Sequence, residues 1–331
     1  MNTGALNKFL RVPLFVLTIS FAGCGNQVVN TSVTQASQTS KLNSNLPQVV
    51  ATTNILCDLT KQVAGNTINL TCLVSPGANP HTYQPQPEDR KAIEQAKLIF
   101  YNGYNLEPSL LKIIKATKNP APKIAVGQFA VPQPQKFANK GKKIADPHLW
   151  HNVKNTIRMV EVINNNLGKL APSQVKNYSS KTKQITNELT QLDSWIKLRI
   201  ATIPSKHRKL VTTHDALGYY VKAYGLAYTG TLKGVNTNAK LTDTREKDVV
   251  KNIQKAKVPT IFAETTINPN GIKSIAAKAA VRVSQRELYT DGLGKPGSDG
   301  ETYQKMMSAN TRTIVEGLGG TYLKFEPKVS Q

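Results

Sequence analysis

The sequence predicts an α/β protein of two lobes, each a parallel sheet flanked by helices, joined by one long connecting helix. Three observations carry that expectation. Short apolar runs of strand length alternate with amphipathic segments from residue 48 onward, the pattern of repeated βα units in a parallel sheet. One stretch near the middle keeps helical periodicity much longer than any other. In both halves, imidazoles and a carboxylate fall where a strand-like run gives way to loop or helix, and such positions gather at the carboxyl ends of strands.

Taken in order, residues 49–53 read as a strand, 56–64 as a helix closed by Gly65, and 68–74 as a second strand ending at Pro76-Gly77. A loop over 78–87 holds His81. Helices are expected over 88–95 and 106–116, with strands at 97–101 and 124–126. A helix begins near His151, carries Ile157, Val160, Ile163 and Leu167 on one face, and ends at Gly168. Then Val175, Tyr178, Thr182, Ile185, Leu189, Leu192 and Ile196 recur at steps of three and four, the signature of one amphipathic helix. Ser173 is its expected N-cap and Pro204 its stop. A helix of that length exceeds what one lobe needs, so it reads as a connector. The second half repeats the alternation, with strands at 210–213, 260–263 and 281–289 and helices at 216–224, 246–255, 272–279 and 303–318. The expected domains are 48–171, the connector 172–204, and 205–331.

The N-terminus indicates export. Lys8 and Arg11 precede an apolar run over 12–23, the length of a signal-peptide core and too short to span a bilayer. It ends in Phe21-Ala22-Gly23-Cys24, which resembles a bacterial lipobox, so 1–23 is expected to be removed and Cys24 lipidated. Residues 24–47, rich in Asn, Ser, Thr and Gln, read as a flexible tether. A lipid-anchored domain facing the periplasm or the extracellular side follows. Export permits Cys57 and Cys72 to pair, and two separately buried thiols fit the residues equally well.

Lys and Arg number 43 against 20 acids, for a net charge of +23. Residues 109–145 hold eight lysines and no acid. Scattered lysines, few arginines, 6% aromatics and export argue against nucleic acid as a partner. A basic surface facing anionic lipid or wall polymer suits the compartment better.

The chemistry concentrates in Asn79-Pro80-His81, Asp146-Pro147-His148, Thr213-His214-Asp215 and Thr290-Asp291-Gly292. Three neutral imidazoles and a carboxylate form a first shell for a borderline divalent ion. Asp146 and Trp150 are expected to hold the loop presenting His148, and Glu264 at a strand end is a candidate carboxylate behind the ligands. His151, three residues after His148, could donate from a helix to a group behind the ligands but reads more readily as a surface residue, as His207 does.

Pro76-Gly77-Ala78-Asn79-Pro80-His81, Tyr101-Asn102-Gly103, Asp146-Pro147-His148-Leu149-Trp150 and Gly297-…-Gly300-…-Tyr303 resemble, in order, the metal-binding solute-binding lipoproteins of zinc- and manganese-type ABC transporters. The resemblance implies two α/β lobes on one long rigid helix, a metal at the lobe interface held by His81, His148, His214 and Asp291, and a membrane permease as partner. It also implies that manganese-type members mostly carry glutamate at the place of His214. Three imidazoles favour Zn²⁺ as the carried ion, with Mn²⁺ as the alternative. A monomer with no enzymatic activity is expected. A zinc hydrolase would need a general base, and neither His-Glu-x-x-His nor Gly-x-Ser-x-Gly occurs. An adhesin working through the basic face is the remaining class.

Overall fold

Alternating side chains on the first strands send one set of apolar groups to each face, and both faces are covered. In a computed structural model describing residues 45–139, 142–234, 237 and 241–328, β1 (Gln48–Ala51) is flanked by β2 (Asn69–Cys72) and β3 (Leu98–Tyr101), with β4 (Lys123–Ala125) beyond β3. All three pairings are parallel. Val49, Ala51, Leu98 and Phe100 face a core shared with α1 (Asn54–Ala64), while Val50 and Ile99 face α2 (Pro87–Gln95) and α3 (Pro108–Ala116). Burial on both sides explains the apolar runs of these strands. The expected signal segment, Cys24 and nearly all of the tether lie outside the described residues.

Local chemistry sets the helix ends. Thr53 accepts the Leu56 N–H at 3.2 Å to cap α1, and Gly65 ends it at φ 58°. Pro87 opens α2, with Asp89 accepting the Gln86 N–H at 2.8 Å. Cys57 on α1 and Cys72 at the end of β2 are joined as a disulfide, Cα atoms 5.6 Å apart. A short helix, α4 (Val126–Ala130), follows β4. Next comes an antiparallel ribbon of β5 (Lys136–Asn139) and β6 (Lys142–Ala145), pairing Phe137 with Ile144. The lysine-rich sequence gives no apolar alternation by which to foresee that ribbon. Its second strand leads directly to Asp146 and His148.

The long helix is close to its expected place. Helix α5 (Val153–Leu170) runs into a 3₁₀ turn at Pro172–Gln174, then α6 (Val175–Ala201) continues for 27 residues, about 40 Å. Ser173 is not its cap: it sits inside the 3₁₀ turn, and Gln174 occupies the N-cap position with no side-chain cap bond. Tyr178, Ile185, Leu189, Leu192, Ile196 and Ile200 are buried along α6, which packs on α1 and α5.

The second lobe contains β7 (Lys209–Thr212), α7 (Gly218–Tyr224), β8 (Ala227–Thr231), α8 (Asp243–Ala256), β9 (Thr260–Ile261), α9 (Asn270–Ala279), β10 (Arg282–Val283) and α10 (Tyr303–Gly317). Helices α7 and α10 also pack on α6, which therefore touches both lobes. β8 pairs with β7 and β10 with β9, both parallel, and a parallel bridge from Thr212 to Phe262 links the two pairs. The strand expected over 281–289 shrinks to β10 plus a bridge between Leu288 and Glu264. β8, unforeseen, reads Ala-Tyr-Thr-Gly-Thr with a register shift against β7, too polar and irregular to announce itself.

Candidate metal centre

Each of the four chemistry-bearing segments leaves a strand and is held by its own hydrogen bonds. In the loop after β2, the Asn79 side chain accepts the His81 N–H at 2.9 Å, closing an Asx turn, and donates to Thr237 of the second lobe at 3.2 Å. After β6, Asp146 Oδ1 accepts both the backbone N–H (3.0 Å) and the ring Nδ1–H (2.9 Å) of His148. After β7, Glu264 accepts the His214 N–H at 2.8 Å through Oε1 and the ring Nδ1–H through Oε2. In the loop past β10, Thr266 donates to Asp291 Oδ2 at 2.8 Å, and the neighbouring Thr290 hydroxyl donates to Glu264 at 2.9 Å.

Those bonds decide what the ligand atoms can do. With Nδ1 of His148 and His214 committed to carboxylates, each ring in its neutral form turns an Nε2 lone pair to the interior. Asp291, its Oδ2 occupied, presents Oδ1 to the same point. Nε2 of His81 and His148 are 3.0 Å apart, and Asp291 Oδ1 lies 3.5, 3.5 and 3.1 Å from Nε2 of His81, His148 and His214. All four ligand atoms fall within 4.8 Å of one another. A four-coordinate ion with bonds near 2.0 Å needs donors about 3.3 Å apart. The separations of His81 from His148 and of Asp291 from all three imidazoles are close to that spacing.

The centre is closed from solvent. His148 and His214 are fully buried and Asp291 is 2% exposed. His214 Nε2 and Asp291 Oδ1 find no hydrogen-bond partner. Buried polar atoms are nearly always partnered, so converging acceptors without a donor point to a cation or a proton between them. Burial opposes the charge on His214, but Asp291 and Glu264 overcome it and hold the imidazole well above its ordinary value. Burial likewise opposes ionisation of Asp291, yet His214, His148 and His81 keep its carboxyl well below the usual range. His148 is raised, Asp146 and Asp291 outweighing burial, whereas His81 is lowered by burial.

The structure thus brings His81, His148, His214 and Asp291 together. Glu264 stands behind His214 and Asp146 behind His148. Trp150 is buried edge-on to the His148 ring, centroids 5.5 Å apart, and its carbonyl accepts the Tyr303 hydroxyl at 2.7 Å. His207 lies in a 3₁₀ turn before β7, at the opposite end of that strand from His214. His151 is not a surface residue: it is fully buried, its Nε2–H donates to the Thr290 carbonyl at 2.8 Å, and burial drives its basicity down to about 3. Proximity to His148 in sequence was the one signal for it. Thr266 and Asn54 gave none. Asn54 accepts the Leu293 N–H at 2.8 Å and donates to the Ser75 carbonyl at 3.2 Å, joining the loop that carries His81 to the loop that carries Asp291.

Residues 49–317 match the family model described as the zinc-uptake complex component A, periplasmic. The chain is 32% identical over 320 residues to the metal ABC transporter substrate-binding lipoprotein ScbA of Streptococcus cristatus, covering 94% of this chain and 98% of that protein. It is 33% identical over 320 residues to the manganese ABC transporter substrate-binding lipoprotein scaA of Streptococcus gordonii, with the same coverage. Among solved structures, the periplasmic zinc binding protein TroA from Treponema pallidum aligns with a TM-score of 0.78 at 28% identity, over 82% of this chain and 99% of that one.

Proposed function

The chain belongs to the zinc-uptake component A family of periplasmic binding proteins, and from that premise we propose that His81, His148, His214 and Asp291 capture one divalent transition-metal ion for delivery to an ABC permease. It is a binding protein and not an enzyme, working from a lipid anchor on the outer side of the membrane. The observation that carries the proposal is the convergence of three imidazole Nε2 atoms and one carboxylate oxygen on one point, where His214 Nε2 and Asp291 Oδ1 have no hydrogen-bond partner. Lipidation at Cys24 is part of the same reading, supported by relatives that are named lipoproteins over nearly their whole length.

The zinc preference read from the sequence gives way to manganese as the imported ion, because the relative from Streptococcus gordonii is named for manganese and spans 94% of this chain. A second reading, zinc, is favoured by the donor set itself. Three imidazoles and one carboxylate suit Zn²⁺, which binds any such site more tightly than Mn²⁺. The two readings are compatible in part: affinity order belongs to the site, whereas cargo also depends on which ion is available.

The test has two arms. Purified, metal-stripped protein should bind one equivalent of Zn²⁺ or Mn²⁺, His148→Ala should lose it, and His207→Ala should keep it. Equal losses from both variants would place the site elsewhere. Uptake of radiolabelled manganese and zinc by cells lacking the gene then decides the cargo: a defect confined to zinc would overturn the manganese assignment.

A further inference from the structure

We propose that His151 is a positioning residue that holds Asp291 in register with His148 across the lobe boundary, an inference that rests on these residues being metal ligands. His151 follows His148 in one tight 3₁₀ turn, its backbone N–H donating to the His148 carbonyl at 3.3 Å. Its side chain is fully buried and is not one of the groups that could hold the metal. There it makes one hydrogen bond, 2.8 Å from Nε2 to the carbonyl oxygen of Thr290, a residue 139 positions away. A carbonyl can only accept, so Nε2 carries the proton and Nδ1 of the neutral ring is left as an acceptor. Nδ1 is buried and has no partner. An apolar side chain would fill this site without that orphaned nitrogen. A buried imidazole that satisfies only one of its two nitrogens needs a reason, and the reason lies in what its single bond holds.

The Thr290 carbonyl belongs to the same planar peptide unit as the Asp291 nitrogen, so fixing that oxygen fixes the plane from which the Asp291 side chain departs. Thr290 is gripped from the other side as well: its hydroxyl donates at 2.9 Å to Glu264, the carboxylate that also orients His214. The first lobe therefore holds the carbonyl of Thr290 and the second lobe holds its hydroxyl. The His151 bond closes a short circuit, from His148 through Leu149 and Trp150 to His151, across to Thr290, and on to Asp291. At the far side of that circuit, His148 Nε2 and Asp291 Oδ1 face each other at 3.5 Å. Donor separations in a four-coordinate site tolerate little error, and groups that orient ligands from behind commonly change metal affinity ten- to a hundred-fold when removed.

Three substitutions separate positioning from packing. In His151→Gln the side-chain Nε2 falls near the place of the imidazole Nε2 and can donate to Thr290. His151→Asn puts its donor nearer the backbone, at the place of Nδ1, and leaves the carbonyl unreached. His151→Leu fills space with no donor. Affinity for Zn²⁺ and for Mn²⁺ would be measured by competition with a chromophoric chelator, ion release by chelator chase, and thermal stability on the metal-free forms. Both the Leu and Asn variants should bind at least about ten-fold more weakly, chiefly through faster release, while Gln stays within about three-fold of wild type. Wild-type affinity and release in His151→Leu would overturn the proposal. So would equal losses in all three variants that track the melting temperature of the metal-free protein. A wild-type protein that binds no metal would instead refute the site itself, which is a different failure.

Discussion

Glu264→Gln is the substitution that asks most of this site, because it keeps shape and removes charge. Glu264 is fully buried and accepts three hydrogen bonds, from the His214 N–H, the His214 Nδ1–H and the Thr290 hydroxyl. A glutamine has one oxygen, and its NH₂ accepts nothing. Its best orientation keeps the oxygen on Nδ1 and Thr290 and turns NH₂ against the His214 N–H. One buried N–H is then unpaired, at about 1–3 kcal/mol. The two retained bonds drop from charge-assisted to neutral, at about 1 kcal/mol each. Relief from burying a carboxylate offsets part of this, so the metal-free fold should lose only about 1–3 kcal/mol in all. Metal affinity should fall ten- to a hundred-fold, since His214 loses the carboxylate that makes its Nε2 basic. The pH profile supplies an independent check. An incoming ion must displace the proton on His214, whose basicity is raised in the folded protein by Asp291 and Glu264 against the effect of burial. Apparent affinity in the wild type should therefore keep climbing with pH beyond the ordinary histidine value near 6.5. In Glu264→Gln one raising partner is gone, so the climb should level off at lower pH. Burial pushes His81 the other way, so it does not produce this climb above the ordinary value. Chelator competition at several pH values, with melting curves of the metal-free proteins, measures both. A variant that melts earlier but binds metal as the wild type does, with an unchanged pH profile, would refute the reasoning.

Replacing His214 by Glu alone would set a second carboxylate against Glu264 in a closed pocket, where one of the two must hold a proton. The double variant His214→Glu/Glu264→Gln avoids that conflict and should narrow the Zn²⁺ to Mn²⁺ affinity ratio relative to wild type, read by titration with both ions; an unchanged ratio would mean that lobe geometry, and not this donor, governs choice. Cys24→Ala should move the protein from the membrane to the soluble fraction on cell fractionation, and persistent membrane association would end the anchor assignment.

What could be read from the chain and what could not divide along a physical line. His81, His148, His214 and Asp291 were legible because each follows an apolar run and interrupts it with a residue type that has a chemical use. The strands at 48–51 and 98–101 were legible because burial on both faces leaves an uninterrupted apolar signature. The β5–β6 ribbon was not, since its strands read Lys-Phe-Ala-Asn and Lys-Lys-Ile-Ala, with no alternation of apolar and polar residues. The short β9 and β10 were overread, because the apolar stretches around them belong to loops that feed the core. Contacts between distant segments were invisible as well: Asn54 reaches Leu293 across 239 residues, and His151 reaches Thr290 across 139.

That division bears on why the ion was harder to name than its ligands. Donor type is a property of single residues, and three histidines with an aspartate already select a borderline divalent metal. Discrimination between two such metals rests on tenths of an ångström in donor separation and on the charge behind each donor. Here those quantities are set by Asp146 on His148, two residues away, but also by Glu264 on His214, fifty residues away, and by Thr266 on Asp291, twenty-five away. Two of the three supports come from residues with no motif of their own. A chain could keep all four ligands and change its preference by altering Glu264 or Thr266 alone. If these four residues hold the ion, the hydrogen bonds that aim the donors bear on its choice as well as the donors themselves.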